Sequence, residues 1–124
     1  MRVKDAVGRF GEQVAADLVC ERGMQILDRN WRGPGGELDI VARDGATLVF
    51  VEVKTRSSRA YGLPAEAVDA RKAARIRRLA GQWMTAHRDG GGVPFWQTVR
   101  FDVVSVIRDR AGSALDVDHL VGAF

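Results

Sequence analysis

The sequence predicts an α/β protein: one domain in the order α-β-β-β-α-β, with a mixed central sheet flanked by helices. Three observations lead there. A length of 124 residues, 46% hydrophobic and 28% charged, suits one ordinary globular domain able to bury its own core. Two segments repeat apolar residues at helical spacing. The remainder holds short β-rich runs, two of them separated by Asp44-Gly45, a strong signal for a two-residue hairpin turn.

Each element follows in order. From about Asp5 to Glu21, Val7, Phe10, Val14 and Leu18 recur on one helical face, and Gly23 supplies the stop. Ile26 and Leu27 mark a strand from Gln25 to Trp31, closed by the turn formers Gly33-Pro34-Gly35-Gly36. Glu37 to Arg43 and Ala46 to Thr55 pair as an antiparallel hairpin. A second helix is expected from Pro64 to His87, with Val68, Ile76, Leu79 and Trp83 inward and Pro64 in its first turn. Asp89 to Pro94 reads as a loop. Val99 to Ile107 alternates as a strand, and a weaker strand runs from Ser113 to Val117. The core therefore covers about residues 5–107, with a C-terminal strand and tail over 108–124.

Composition narrows the function classes. One cysteine, Cys20, permits no internal disulfide and no cysteine-built zinc site, which points to a reducing cytoplasm. No run of about 18 apolar residues exists, so neither export nor membrane insertion is expected. A net charge of +3 with a pI of 9.6 favours an acidic partner such as nucleic acid. Sixteen of the 19 basic residues are arginine, a bias that genomic base composition alone produces, so the three lysines carry more information.

The candidate chemistry lies on the hairpin. With Asp44-Gly45 as the loop, Asp39 faces Phe50 and Glu37 faces Glu52, and the two-residue period puts Glu37, Asp39, Glu52 and Lys54 on one face. Leu38, Ile40, Val49, Val51 and Val53 take the other, while Val41, Leu48 and Phe50 continue the charged face as apolar. Carboxylates about 4 Å apart repel by roughly 4 kcal/mol per pair at an effective dielectric of 20. A divalent cation removes that repulsion, and all-oxygen ligands select Mg²⁺ or Mn²⁺. Carboxylates holding a hard metal beside an ammonium are what phosphodiester hydrolysis requires. A bare Glu-x-Lys is far more often a solvated hairpin end; here it ends an apolar strand and follows a helix carrying Glu12.

Those residues also carry a resemblance. Gly36-Glu37-Leu38-Asp39-Ile40-Val41-Ala42-Arg43-Asp44-Gly45, Val49-Phe50-Val51-Glu52-Val53-Lys54-Thr55-Arg56, Gly8-x-x-Gly11-Glu12 and Arg100-Phe101-Asp102-Val103 resemble the YraN family of bacterial proteins. That family is placed in the PD-(D/E)XK nuclease superfamily, with a restriction-endonuclease-like core, and is similar there to archaeal Holliday junction resolvases. The likeness runs from about Val7 to Ile107. It implies that Asp39 and Glu52 are metal ligands, with the Val53 carbonyl as a third. It implies that Lys54 is the catalytic lysine and that Glu12 completes the site from the first helix. Leu38 stands where the superfamily's name has proline. Glu37 reads as a further ligand, as a group orienting one, or as a structural residue at the strand start.

Glu12 has its own reading. Its neighbours on the helical wheel are Gly8, Ala15, Ala16 and Val19, small enough to let the helix approach the sheet. On the second helix Arg71, Arg75 and Arg78 form one stripe with Lys72 adjacent, a surface that either neutralises phosphates or is merely solvated. Thr55 to Gly62, with Arg56, reads as a substrate loop or a plain connection. Trp31 and Trp96 stack bases or, three times as often, pack the edge of the core. Asp116-Val117-Asp118-His119 invites a second metal site, although strand-end alternation explains it better. His87 suits the C-terminal dipole of its helix, and Cys20 reads as a packed thiol.

Two functions of different class are then expected. The first is a Mg²⁺- or Mn²⁺-dependent nuclease acting on DNA at branched or damaged structures, as in repair or recombination, with a homodimer implied by the resemblance. The second is a nucleic-acid-binding or adaptor domain that keeps the fold without turnover.

Overall fold

A computed structural model describes residues 3–57, 68–88, 94–108 and 114–124, with the side chains of 3–7 and 114–115 left aside. Its elements are α1 (Val3–Glu21), β1 (Gln25–Gly33), β2 (Gly36–Asp44), β3 (Thr47–Arg56), α2 (Ala70–Arg88), β4 (Thr98–Arg108) and β5 (Ala114–Leu120). They build the expected α/β fold: one five-stranded sheet in the order β1-β2-β3-β4-β5. β3 and β4 pair in parallel, and the other neighbours are antiparallel. A parallel pair needs a crossover, and α2 lies on it.

Helix α1 ends as Gly23 predicts. Gly23, at φ +85°, donates to the Cys20 carbonyl and Met24 donates to Val19, two bonds that satisfy carbonyls left free at the helix end. The buried face differs from the expected one. Ala15, Ala16 and Val19 are fully covered, while Phe10, Val14 and Leu18 are half-buried at the margin. Close helix-to-sheet contact selects small side chains, and bulk goes to the flanks. Cys20, expected to be packed, is exposed because Ala16 and Val19 take the inward positions.

Helix α2 starts later than expected. Val68 and Asp69 are not helical, and Pro64 lies outside the described residues. Asp69 caps the helix: its Oδ1 accepts the Lys72 N–H at 2.8 Å and its carbonyl accepts that of Ala73. Ala73, Ile76, Leu79, Ala80 and Trp83 face inward. His87 stacks on the Trp83 ring at 3.8 Å and bonds the Trp83 carbonyl.

The sheet is buried on both faces. Ala15, Ala16, Val19, Ile40, Ala42, Val49, Val51, Val104 and Val106 form one cluster beneath α1. Val41, Leu48, Phe50, Ile76, Leu79 and Trp83 form the other beneath α2. The hairpin loop is Gly45-Ala46 instead of Asp44-Gly45, so Asp44 pairs with Thr47 and Val41 with Phe50. This moves the register by two residues in the paired sum and preserves the faces. Leu38 is a true departure, because it packs with Trp31 beneath α2, away from Ile40. The change of face coincides with Asn30 at φ +54°, between the pairs Arg29–Ile40 and Trp31–Leu38. One left-handed residue, tolerated by asparagine, swings the strand ends.

The C-terminal strand is fastened by charge. Asp102, fully buried in β4, accepts from Arg100 Nε at 2.9 Å, Arg100 Nη2 at 3.1 Å, His119 Nε2 at 2.8 Å and the Gly122 N–H at 3.0 Å. Arg22 can only donate to His119 Nδ1, 3.1 Å away, which assigns the ring proton to Nε2. His119 is therefore committed to the fold, in keeping with the strand-end reading of Asp116 to His119.

Candidate active site

Helix α1 reaches the sheet through a glycine. A methyl group at Gly11 would overlap Thr55 Oγ1 on β3, so only a residue without a side chain lets the two backbones meet. Glu12 follows immediately and is thereby delivered to the open end of the β2–β3 hairpin. There the ladder stops at Ile40–Val51, and the Asp39 carboxylate takes over as acceptor: its Oδ2 receives the Val53 N–H at 2.8 Å.

Glu12, Glu37 and Asp39 converge. One carboxylate oxygen from each lies within 4.8 Å of the other two, and all three residues are half-buried. Glu52 is close enough to act on the same point. The Asp39 carboxyl is pushed up from 3.8 to about 8, first by burial, then by Glu52, Glu12 and Glu37, against the lowering effect of the Val53 N–H. Burial disfavours the charge, and three like charges disfavour it further. A group in this position retains a proton near neutral pH or shares a cation. All-oxygen donors at this spacing fit a hard divalent ion.

The cations are distributed unevenly. Glu52 Oε1 is 2.8 Å from Lys72 Nζ on α2, with only 12% of the glutamate side chain exposed. Glu37 pairs at 3.2 Å with Arg32, whose side chain is 83% exposed, a contact of small energetic weight. Lys54 is half-buried, opposite Ser105 in the β3–β4 register, with no ion-pair partner among the described residues. The lysine expected on the phosphate-binding stripe thus meets a carboxylate, and the lysine expected beside the carboxylates is unpaired. Helical periodicity places Lys72 next to the arginines but does not tell which strand end it overhangs; that depends on how α2 lies across the sheet, which puts its first turn over Glu52.

The remaining residues separate clearly. Arg71, Arg75 and Arg78 are exposed along α2. Arg56 is 7% exposed, and its Nη2 lies 3.3 Å from Ser105 Oγ, so it points into the fold instead of toward an external phosphate. The Val53 backbone stands beside Asp39, though through its amide. Trp31 is half-buried at the edge of the α2-side core, and Trp96 lies 6.1 Å from Trp83 in the same cluster.

The profile of the family described as Uncharacterised protein family UPF0102 matches residues 11–106, from the Gly11 contact to the end of β4. The chain belongs to the UPF0102 family. A UPF0102 protein of Beutenbergia cavernae is 55% identical over 122 residues, 98% of each chain. One from Frankia alni is 56% identical over 124 residues, the whole of this chain and 98% of the relative, and one from Paenarthrobacter aurescens is 52% identical over 122. This UPF0102 membership agrees with the YraN-like motifs, and the matched span contains every carboxylate and both lysines of the site. No described helix is long and apolar enough to cross a membrane.

Proposed function

We propose that this acidic end is the active site of a divalent-metal-dependent nuclease of the PD-(D/E)XK type, hydrolysing DNA phosphodiester bonds. One observation carries the reading. Asp39, beside Glu12, Glu37 and Glu52 at the end of a doubly buried sheet, has a carboxyl raised to about 8 by burial first and then by those like charges. Asp39, Glu12 and Glu37 would hold Mg²⁺ or Mn²⁺, with Glu52 and the Val53 carbonyl completing the set. Such a cation offsets charge on a phosphoryl oxygen and makes water a better nucleophile at neutral pH. Lys54, without an ion-pair partner among the described residues and two residues beyond Glu52, would orient the attacking water or offset the charge that develops on the oxygens of the pentacoordinate phosphorus. Exposed Arg71, Arg75 and Arg78 neutralise flanking phosphates, and Arg56, being buried, is left out of that role.

The decisive experiment is cleavage of supercoiled, linear, single-stranded and four-way-junction DNA with Mg²⁺ or Mn²⁺, using wild type, Asp39→Asn and Lys54→Ala, with EDTA as control. Cleavage lost in both variants and in EDTA supports the assignment, and the preferred DNA names the substrate. An equally active Asp39→Asn protein overturns it. A homodimer matched to two opposed strands is part of this reading and is tested by light scattering at assay concentration.

The Lys72–Glu52 ion pair favours a second reading, a nucleic-acid-binding adaptor without turnover, because a protein cation already occupies one carboxylate. That reading requires salt-dependent DNA binding that survives Asp39→Asn and Lys54→Ala but weakens when Arg71, Arg75 and Arg78 become alanine. Binding insensitive to salt excludes it.

A further inference from the structure

Along α2 from the carboxylates, a groove opens between the helix and the β1–β2 turn. It has a volume of about 680 Å³ and is lined by Trp31, Pro34, Arg78, Gly81, Gln82 and Thr85, with mostly apolar walls. Lys72, Arg75, Arg78 and Gln82 succeed one another on the helix, and the Arg75 stem lies over Gly36, next to Glu37. The path from Lys72 to Gln82 is about 15 Å at 1.5 Å per residue, roughly four stacked nucleotides at 3.4 Å each.

We infer that this groove seats one unpaired nucleotide of the substrate strand, with its base against Trp31 and its phosphate on Arg78. The inference rests on the nuclease reading and specifies its substrate. Trp31 offers part of an indole to the groove, whereas a base within a duplex presents only its edges. Gln82 Oε1 is turned away from the groove, against Gly33 and the Trp31 ring, so the Gln82 stem serves as wall and helps fix the indole in place. Arg78 is exposed with no carboxylate partner among the described residues. A flat aromatic wall beside an exposed guanidinium matches a base with its own phosphate; a free phosphate leaves the apolar walls uncovered.

Gly81 supplies a clean test. A Cβ built there meets nothing within 4 Å, so Gly81→Leu fills the groove from a helical position where leucine is favourable. Binding of short fluorescein-labelled single-stranded and duplex DNA is read by anisotropy in EDTA, so that nothing is cut. Gly81→Leu is expected to weaken single-strand binding about tenfold, the worth of one stacked base, with duplex binding unchanged and Gly81→Ala close to wild type. Single-strand binding unchanged in Gly81→Leu overturns the groove while leaving the nuclease reading to its own cleavage assay. Failure of wild type to bind either DNA overturns both.

Discussion

Asp39 and Asp102 are both aspartates inside the same sheet, and the fold treats them in opposite ways. Asp102 is surrounded by donors: a bidentate guanidinium, an imidazole N–H and a backbone N–H. Arg100 is in turn held more firmly protonated by that contact. Asp39 has one donor among the described residues, the Val53 N–H, and three carboxylate neighbours. A buried carboxylate matched within the chain serves the fold, whereas one buried among like charges costs stability that only a ligand can return. The contrast separates latch from site more sharply than residue type or burial does.

Four substitutions break or sharpen that contrast. Asp102→Ala removes the bidentate partner of Arg100, leaving it Asp44 alone, and strips the buried His119 N–H and the Gly122 N–H of their acceptor, and a loss of about 3–5 kcal/mol is expected in urea unfolding. A loss below about 1 kcal/mol would mean that Asp102 is no latch. Asp39→Asn should act with the opposite sign. Because the folded state keeps a proton up to about pH 8 that the unfolded chain releases near 3.8, wild-type stability falls as pH rises between those values in the absence of divalent ions. The asparagine variant should lose this slope and, in EDTA at pH 8, be more stable on the order of 3 kcal/mol, with the two proteins converging near pH 4. Saturating Mg²⁺ should stabilise wild type at pH 8 and leave the variant little changed; melting curves with a flat wild-type pH profile would refute the account.

The third effect is smaller. Gly11→Ala, a change that ordinarily strengthens a helix, should here destabilise by about 1–3 kcal/mol because its methyl meets Thr55. It should also reduce the Mg²⁺-dependent shift in melting temperature, since Glu12 is displaced. Arg32→Ala, at the exposed end of the Glu37 pair, is expected to change stability by no more than about 0.5 kcal/mol. A larger loss would show Arg32 to be an internal counter-charge like Arg100.

What the sequence made legible was local. The hairpin, both helices and the faces of the paired residues from Ile40–Val51 to Asp44–Thr47 follow from alternation and turn residues, and those faces survive because the loop moved the register by an even step. Extending the alternation past Ile40 fails at Leu38, which joins the α2-side cluster opposite the stretch of β1 that holds Asn30 in a left-handed conformation. The Lys72–Glu52 and Asp102–His119 pairs join residues far apart in the chain, and periodicity along one element carries no information about which opposing element it meets. The only trace of the latch was a charged Asp102 amid valines. Large apolar residues misdirected the face of α1, since contact distance, not hydrophobicity, chose Gly11, Ala15 and Val19.

The parallel pairing of β3 with β4 has a kinetic consequence. Val51 meets Asp102 across about fifty residues of chain, whereas the β2–β3 hairpin closes through two. Loop-closure entropy and contact order place the hairpin early and the parallel ladder late. The hairpin's carboxylates are thus brought together before α2 arrives with Lys72, so the chain passes through a stage at which Glu52 lacks the ammonium that pairs it in the folded protein. Refolding is expected to be fastest where that early charge is already screened.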